Sequence, residues 1–465
     1  MKNTRELLAG GLTLLAGSTI TLQAQKNSTP NVIYILADDL GYGDVGCYGQ
    51  KLIKTPNIDK MASEGMQFMQ HYTTCPVSAP ARCGLMTGKH NGHTEIRGNG
   101  GGKNADGEKY DTSLPASEVT IAEIFKQKNY ATACIGKWGL GSVGSQGHPN
   151  NQGFDYFYGY LNQTHAHSYY PSYLIENDTK VPLTGKQYSH DLIEEKALGF
   201  IKANKDKPFF LYLAITLPHA EIQIPDEYRK ELEDQFKPET PHNGNYTPQD
   251  KPHATFAAMV HRADMTVGRV EALLKELKLD KNTLVIFTSD NGPHKEGGAD
   301  PNFFKSSGTF RGIKRDLYEG GIRMPMIARW PDKVPEGVKN TNPSAFWDVL
   351  PTICELLKVK TPESTDGISF LPQLLGKKQT LYHDFFYWEF HEQGGKQAVL
   401  KGDWKLIKLQ VLNPEKTYFE LYNIKKDIKE SENLVAKYPD VLKELQEIMD
   451  REHVENPKFK FLSKD

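Results

Sequence analysis

Residues 31–39, NVIYILADD, decide the fold class of this 465-residue chain. Between Asn31 and the two aspartates the segment is continuously apolar. A run of this length without polar alternation is typical of a strand that is buried on both faces of a sheet. Similar runs recur in three later segments, 131–138 (ATACIGKW), 207–216 (KPFFLYLAIT) and 282–292 (NTLVIFTSDNG).

Stretches with helical periodicity alternate with these strands, at 120–130 (TIAEIFKQKNY), 189–205 (SHDLIEEKALGFIKANK) and roughly 256–277. The alternation predicts an α/β fold in which a large, mostly parallel sheet is sandwiched by helices. In such sheets the functional site lies beyond the carboxyl ends of the strands. The residues that follow the predicted strands at that edge are polar: Asp38, Asp39, Lys137, His219, Asp290 and Asn291.

A change in composition marks a second, smaller unit. Residues 360–379, KTPESTDGISFLPQLLGKKQ, are rich in proline, glycine and polar side chains, which is typical of a connection between units. The later segments QAVLKGDWKLIKL and KTYFELYNI are typical of paired strands, and a final helix is predicted roughly over 432–452. We therefore predict a main domain at 28–375 and a C-terminal α+β subdomain at 376–465, with antiparallel strands and a terminal helix.

The amino-terminal segment MKNTRELLAGGLTLLAGSTITLQAQ has the pattern of an export signal. Lys2 and Arg5 give it a basic start, residues 7–20 are mostly apolar, and a small residue, Ala24, offers a cleavage site. We predict a signal peptide over 1–24; the alternative is an amphipathic first helix. No other segment is long and apolar enough to cross a bilayer, so we expect no stable membrane insertion and a periplasmic or secreted mature protein.

Charge and cysteine content exclude several classes of function. The formal net charge is −2, so no overall field attracts nucleic acid, and an anionic ligand would need a local positive partner. The cysteines form an odd, sparse set without a Cys-x-x-Cys pattern, which argues against a disulfide framework and against a zinc site of that type. They are Cys47, Cys75, Cys83, Cys134 and Cys354.

Residues 75–90, CPVSAPARCGLMTGKH, hold the most informative motif. Pro80 suits the first turn of a helix, where its missing N–H group is not needed. Ser78 would then lie just ahead of a helix N-terminus, which is a natural position for binding an anion. From these residues alone, Ser78 is either a capping residue or a reactive one.

The order Ser78-x-Pro80-x-Arg82, followed by Thr87-Gly88, resembles the signature of type I sulfatases of the alkaline phosphatase superfamily. The resemblance implies that Ser78 is the reactive residue, whereas Cys75 and Cys83 fall outside the frame and are packing thiols. A serine at this place is similar to the bacterial serine-type enzymes, in which an anaerobic maturase converts it to formylglycine (3-oxoalanine). The hydrated aldehyde has one hydroxyl to attack sulfur and a second to expel sulfate afterwards.

The same resemblance implies a metal site. ADDLGYGD supplies Asp38 and Asp39, and TSDNGPH supplies Asp290 and Asn291, which join residue 78 as metal ligands. Carboxylate and amide oxygens suit Ca²⁺, with Mg²⁺ as the alternative, rather than zinc. Either aspartate pair alone would fit a turn or a helix cap.

Four further residues match catalytic positions of the family. Lys137 and Lys314 would bind sulfate oxygens, Arg82 would stabilise the formylglycine, and His219 would serve the leaving oxygen as an acid or hydrogen-bond donor. The chain departs from the family at Gly139, where GKWGLG replaces a usual Gly-Lys-Trp-His-Leu-Gly. We hypothesise that His165 or His167 takes over the role of the missing histidine.

Two aromatic segments suggest a sugar substrate. QTHAHSYYPSY contains His165 and His167, and YWEFHEQGG contains Trp388, Glu389 and His391, all of which can contact a sugar. The alternative is that the aromatic side chains pack between the two units. The style of these motifs resembles bacterial sulfatases that act on galactose- or N-acetylgalactosamine-containing glycans.

Three activities are compatible with these motifs. The leading one is hydrolysis of a sulfate ester on a carbohydrate. The alternatives are a formylglycine-dependent phosphoester or phosphonate hydrolase, and an inactive relative that only binds sulfated glycans. The complete set of predicted metal ligands argues against the last, because a binding protein has no need of a hydrolytic metal centre.

Overall fold

The computed structural model describes residues 29–103, 107 and 109–461. The predicted signal peptide at 1–24 lies outside these residues. Within the described part of the chain, none of the helices has the length and apolar character needed to cross a membrane.

The strands, in chain order, are β1 (Asn31–Ala37), β2 (Met66–Tyr72), β3 (Gly101–Lys103), β4 (Lys109–Asp111), β5 (Ala131–Lys137), β6 (Tyr156–Tyr160), β7 (Tyr173–Glu176), β8 (Thr179–Pro182), β9 (Phe209–Ala214), β10 (Thr283–Ser289), β11 (Arg323–Arg329), β12 (Val338–Asn340), β13 (Ser344–Ala345), β14 (Phe386–Phe390), β15 (Lys396–Lys401), β16 (Trp404–Leu409) and β17 (Tyr418–Asn423).

The α-helices are α1 (Pro56–Ser63), α2 (Ser78–Thr87), α3 (Ile121–Lys126), α4 (Ser189–Ala203), α5 (Asp226–Arg229), α6 (Pro252–Glu276), α7 (Pro301–Phe304), α8 (Glu319–Ile322), α9 (Val349–Leu357), α10 (Leu371–Leu374) and α11 (Pro439–Glu452).

The main sheet has the strand order β12-β2-β11-β10-β1-β9-β5-β6-β7-β8, with β13 also paired to β2. The central strand β1 runs parallel to β10 on one side and to β9 on the other. Strands β5 and β6 continue the parallel arrangement, whereas β11, β7 and β8 are antiparallel to their neighbours. The prediction of a large, mostly parallel sheet is confirmed.

Helices cover both faces of this sheet, which explains why β1 is apolar throughout. Ile33 and Ile35 point into a core shared with α4 and α6. Val32, Tyr34 and Leu36 point into a second core, shared with α2, α3 and α9. All seven residues of β1 are buried, so a polar residue on either face of the strand would lie in a core.

A four-stranded antiparallel sheet, β14-β15-β16-β17, and α11 form the smaller C-terminal unit. One face of this sheet packs on α11 through Leu445, Ile448 and Met449. The other face packs on the main domain beside Tyr72 and Trp347. The predicted α+β subdomain is therefore present as a packed part of the fold.

The terminal helix begins at Pro439, seven residues after its predicted start near residue 432. The Asn433 side chain accepts the backbone N–H of Leu421 and ties this segment to β17 instead. Pro439 disfavours helical geometry at the preceding residue, and it fits the first turn of the helix that follows.

Helix α2 carries the sequence motif and is buried along its whole length. Ser78 is its first residue, at the edge of the sheet where the parallel strands end. Gly88 ends the helix with φ 71°, and its N–H group bonds to the carbonyl of Gly84. A left-handed residue at this place is a common helix terminus, and glycine adopts it without strain.

Candidate active site

Loops at the carboxyl ends of β1 and β10 bring four oxygen-bearing side chains together. The backbone N–H of Asp39 donates to Oδ1 of Asp290 at 3.1 Å, which joins the two loops directly. Asn291 donates its Nδ2 to Oδ1 of Asp39 at 2.7 Å. Asp38, Asp39, Asp290 and Asn291 all have 0% exposure, so the cluster is closed off from bulk water.

Ser78 lies against this cluster. Its Oγ is 3.1 Å from Oδ1 of Asp38 and 3.5 Å from Oδ1 of Asn291. Lys137, at the end of β5, places its Nζ 3.3 Å from the Oγ of Ser78. A nucleophile made at position 78 would therefore lie between acidic side chains and a cation.

Each carboxylate of the cluster has a cationic partner. Lys137 Nζ is 2.6 Å from Asp38, and Lys314 Nζ is 2.7 Å from Asp39. Arg82 places Nη2 at 2.8 Å from Asp290, while its Nη1 donates to the carbonyl oxygen of Lys137. Buried charges are costly unless they are paired, so this matched set lets three carboxylates remain together in the interior.

The carboxylates nevertheless differ in proton affinity. Burial raises the pKa of Asp290 to about 6, and the negative charge of Asp38 adds to that shift. For Asp39, burial acts in the same direction but Lys314, His294 and Lys137 outweigh it and hold the pKa below its usual value. Like charges are thus crowded at one point of the site, which is the situation that a bound cation relieves.

The donor set fits a hard divalent cation. Its three carboxylates and the amide oxygen of Asn291, which faces Ser78, are oxygen donors of the kind that Ca²⁺ and Mg²⁺ prefer. Ligand atoms of Asp38, Asp39 and His219 lie within 4.8 Å of one another. The residues that could hold the ion are Asp38, Asp39, Asp290 and Asn291, with residue 78 beside them.

Two histidines face each other next to this cluster. His219 Nε2 is 3.7 Å from Asp39, and the His167 ring meets the His219 ring edge-on at 4.5 Å. Among the described residues neither buried Nδ1 atom has a hydrogen-bond partner. Burial, with Lys137 and Lys314 nearby, lowers the pKa of His167 to about 4 and that of His219 well below its usual value.

His165 lies elsewhere, although it is only two residues from His167. Its ring packs against Tyr160 at 5.0 Å and against Tyr173 at 4.3 Å. The short helical turn that contains both histidines directs them to different surroundings. Of the two candidates to replace the missing histidine, the structure brings only His167 to the site.

The C-terminal candidates lie in the packed interface between the two units. Trp388 has 0% exposure, and its Nε1 donates to the carbonyl oxygen of Thr73 at 2.8 Å. Glu389 also has 0% exposure and is paired with Arg97, while His391 stacks on Phe461. This corrects the expectation that Trp388 and Glu389 reach into the cleft, because a sugar cannot contact fully buried side chains. His391 is only partly exposed, and its Nε2 is engaged with Glu389 at 2.9 Å.

Sequence reasoning missed several residues that line the approach to the site. A cavity of about 380 Å³ opens beside Lys314, and Tyr246, which is on its wall, stacks on His167 with ring centroids 5.4 Å apart. His294 lies three residues after Asn291 in the motif TSDNGPH. That position near the predicted metal ligands was the one signal in the sequence that could have indicated it. The other polar residues of the wall are His242, Asn245, Lys295, Glu296, Arg315, Asp316 and Gln393.

Comparison with known families gives two matches along the chain. A model described as Sulfatase matches residues 30–359. A model described as N-sulphoglucosamine sulphohydrolase, C-terminal, matches residues 308–455. Together the two matches span both structural units.

Individual relatives agree with these matches. An N-acetylgalactosamine-6-O-sulfatase of Bacteroides thetaiotaomicron is 30% identical over 537 residues, covering 97% of this chain and 99% of the relative. An N-acetylgalactosamine-6-sulfatase of Canis lupus familiaris is 32% identical over 381 residues, covering 77% and 68%. The solved structure of Ps i-CgsB in complex with k-i-k-neocarrahexaose superposes with a TM-score of 0.78 at 30% identity, covering 92% and 94%.

Proposed function

This chain belongs to the sulfatase family and hydrolyses sulfate esters, and we propose that its substrate is a glycan with a sulfated galactose- or N-acetylgalactosamine-type unit. The Bacteroides relative, named for N-acetylgalactosamine 6-sulfate, aligns over almost the whole of both chains. The structural relative was solved in complex with k-i-k-neocarrahexaose, an oligosaccharide. Both relatives support a carbohydrate substrate.

The observation that carries the proposal is the position of Ser78. Its Oγ lies 3.1 Å from Asp38 and 3.3 Å from Lys137, at a buried helix N-terminus. A formylglycine at position 78 would supply the attacking hydroxyl, and a bound Ca²⁺ or Mg²⁺ would supply positive charge beside it. The proposed ligands are Asp38, Asp39, Asp290, Asn291 and residue 78.

The chain's own cations complete the proposed site. Lys137 is paired with Asp38 and Lys314 with Asp39. Each ammonium group can turn from its carboxylate to a sulfate oxygen. Arg82 is fixed by Asp290 and by the carbonyl of Lys137, so it holds the base of α2 in place. These contacts bind and orient the anionic group beside residue 78.

His219 and His167 are proposed to move protons. Each has a buried Nδ1 without a partner among the described residues, so each can form a new hydrogen bond in the site. We assign the hydrogen bond to the leaving oxygen to His219 and the role of the missing histidine to His167. Both imidazoles are neutral before the substrate binds, because burial and the lysines disfavour the charged form.

The biosynthetic context is part of the same proposal. We place the catalytic domain at 28–375 and the C-terminal subdomain at 376–465, after a signal peptide at 1–24. An anaerobic maturase would be a transient partner, and the mature enzyme would be periplasmic or secreted in a bacterium.

The substrate would enter by the 380 Å³ cavity beside Lys314.

Mass spectrometry and sulfate release test the proposal together. In protein co-produced with a maturase, the tryptic peptide that ends at Arg82 should lose two hydrogens at Ser78. The same preparation should release sulfate from sulfated galactose or N-acetylgalactosamine, while S78A should release none. An unmodified Ser78 beside an active maturase would contradict the formylglycine, and turnover of phosphate esters alone would favour the phosphoester alternative.

A further inference from the structure

The backbone at Gly139 leaves room for another side chain to approach Lys137. Gly139 has φ +82° and lies two residues beyond Lys137. A Cβ atom added to Gly139 would overlap the side-chain amide Nε2 of Gln163. The space that a larger residue at position 139 would fill is therefore taken by Gln163, which comes from the loop after β6.

Gln163 is held in this place by its backbone. Its N–H group donates to Oδ2 of Asp111 at 2.8 Å. The same loop is tied to the Lys137 segment, because Gly139 donates its N–H to the carbonyl of Leu161 at 3.0 Å. Burial raises the pKa of Asp111 to about 6, and the positive charge of Lys137 acts against that shift. Gln163 thus belongs to the same electrostatic neighbourhood as Lys137.

The amide of Gln163 has a donor without an acceptor. Its Nε2 atom is buried, and among the described residues it has no hydrogen-bond partner. Buried amide donors in native proteins are almost always paired, and the exceptions call for a ligand, a water or an ion. Gln163 lies against Gly139, and Lys137 is two residues before Gly139 in the chain. Lys137 in turn contacts Ser78 and Asp38. An anion bound by Lys137 is the acceptor that this position offers.

We propose that Gln163 is a substrate-contacting residue whose Nε2 donates a hydrogen bond to the sulfate group bound by Lys137. This inference rests on the proposed function, since it assumes a sulfate ester beside Ser78. It differs from the role given to His167, which approaches on the side of His219 and Tyr246. Gln163 donates and takes no proton, so its contribution is the binding of negative charge.

The substitution Q163E tests the proposal. It keeps the shape of the side chain but replaces the amide donor with an acidic oxygen that repels sulfate. We expect kcat/KM for a sulfated sugar to fall by about a hundredfold. Inorganic sulfate should raise the Tm of the full wild-type chain with unmodified Ser78, and this increase should disappear in Q163E. The neutral variant Q163A should lower kcat/KM by about tenfold.

The control is Q127E, which makes the same change of charge at an exposed position after α3. It should leave both kcat/KM and the sulfate-dependent Tm at the wild-type values. Wild-type values for Q163E and Q163A would overturn the inference while leaving the sulfatase assignment intact. Failure of the matured wild-type protein to release sulfate from any ester would instead contradict the proposed function.

Discussion

Two buried charge clusters of this fold are built in opposite ways. The active-site cluster consists of Asp38, Asp39, Asp290, Lys137, Lys314 and Arg82, and it gathers three carboxylates around one point. The interface cluster consists of Glu389, Arg97, His391 and His453, and it surrounds one carboxylate with cationic or hydrogen-bonding groups.

The difference lies in how completely the carboxylates are satisfied, since the buried Nδ1 of His391 in the interface cluster also lacks a partner among the described residues. Glu389 accepts from Arg97 at 2.8 Å, from His391 at 2.9 Å and from His453 at 2.8 Å, and Tyr387 adds a further bond. In the active-site cluster the acids repel one another, and the neighbouring Nδ1 atoms of His167 and His219 have no partner within the described part of the chain. A carboxylate that is bonded on both oxygens stabilises the structure, whereas crowded carboxylates beside unpartnered imidazoles leave groups available for a ligand.

The sharpest test of this contrast is S78A. Removing the reactive residue should lower sulfate-ester turnover by about four orders of magnitude or more, as loss of a covalent nucleophile does. The free energy of unfolding should change by less than about 1 kcal/mol, because Ser78 makes only two long hydrogen bonds and one from Lys137. Activity assays and urea unfolding of the same preparation measure both. A large loss of stability would break the contrast.

The matching change in the interface cluster is E389Q. It removes the negative charge that pairs with the buried Arg97 and should lower the free energy of unfolding by about 3–5 kcal/mol. Turnover per folded molecule at 25 °C should stay near wild type, since among the described residues no hydrogen bond or ion pair joins this cluster to the active-site cluster. Chemical denaturation and kcat give the two values. A variant with normal stability and impaired kcat would show that the clusters are not separate.

Acid titration should act on the interface cluster through Glu389. Burial raises its pKa, but His391, His453 and Arg97 outweigh this and lower it to about 2, from an ordinary 4.5. The stabilisation is therefore complete above pH 4.5 and is lost as the pH falls towards 2, by roughly 3 kcal/mol in total. The stability difference between wild type and E389Q should shrink over this range, and a constant difference would refute the assignment.

The smallest predicted effect separates two histidines two residues apart. H167A should lower kcat by about a hundredfold, which is the low end of the usual contribution of a general base or acid. H165A should leave kcat within about twofold, because His165 packs on Tyr160 and Tyr173 away from the site. Steady-state kinetics of the two variants, each checked for maturation of Ser78, decide the matter. If H167A and H165A had the same kcat, His167 would have no part in the proposed mechanism.

The sequence predicted those features that local patterns encode. The apolar run of β1 indicated a strand buried on both faces, and the structure places it at the centre of the main sheet. The aspartates and Lys137 were predicted to meet because strand ends share one edge, and the family resemblance added Ser78. The structure brings Ser78 within hydrogen-bond distance of Asp38 and Lys137. Their catalytic and metal-binding roles remain predictions.

The failures depend on contacts between distant segments. Trp388 and Glu389 have the composition of a sugar site, but β14 turns them into the interface with the main domain, which no local pattern reveals. Gln163 fills the space beside Gly139 only because two loops meet after folding. The late start of α11 depends on the bond between Asn433 and β17.

The burial of α2 fixes an order of events in the life of the protein. Ser78 is 1% exposed and every residue of α2 is buried, so the maturase proposed above would reach this side chain only before the chain folds. Under this proposal, a molecule that folds before conversion would keep its serine for as long as it stays folded. Folded protein mixed with an active maturase should stay unmodified, while an unfolded peptide spanning residues 75–90 should be converted; conversion of the folded protein would disprove this timing.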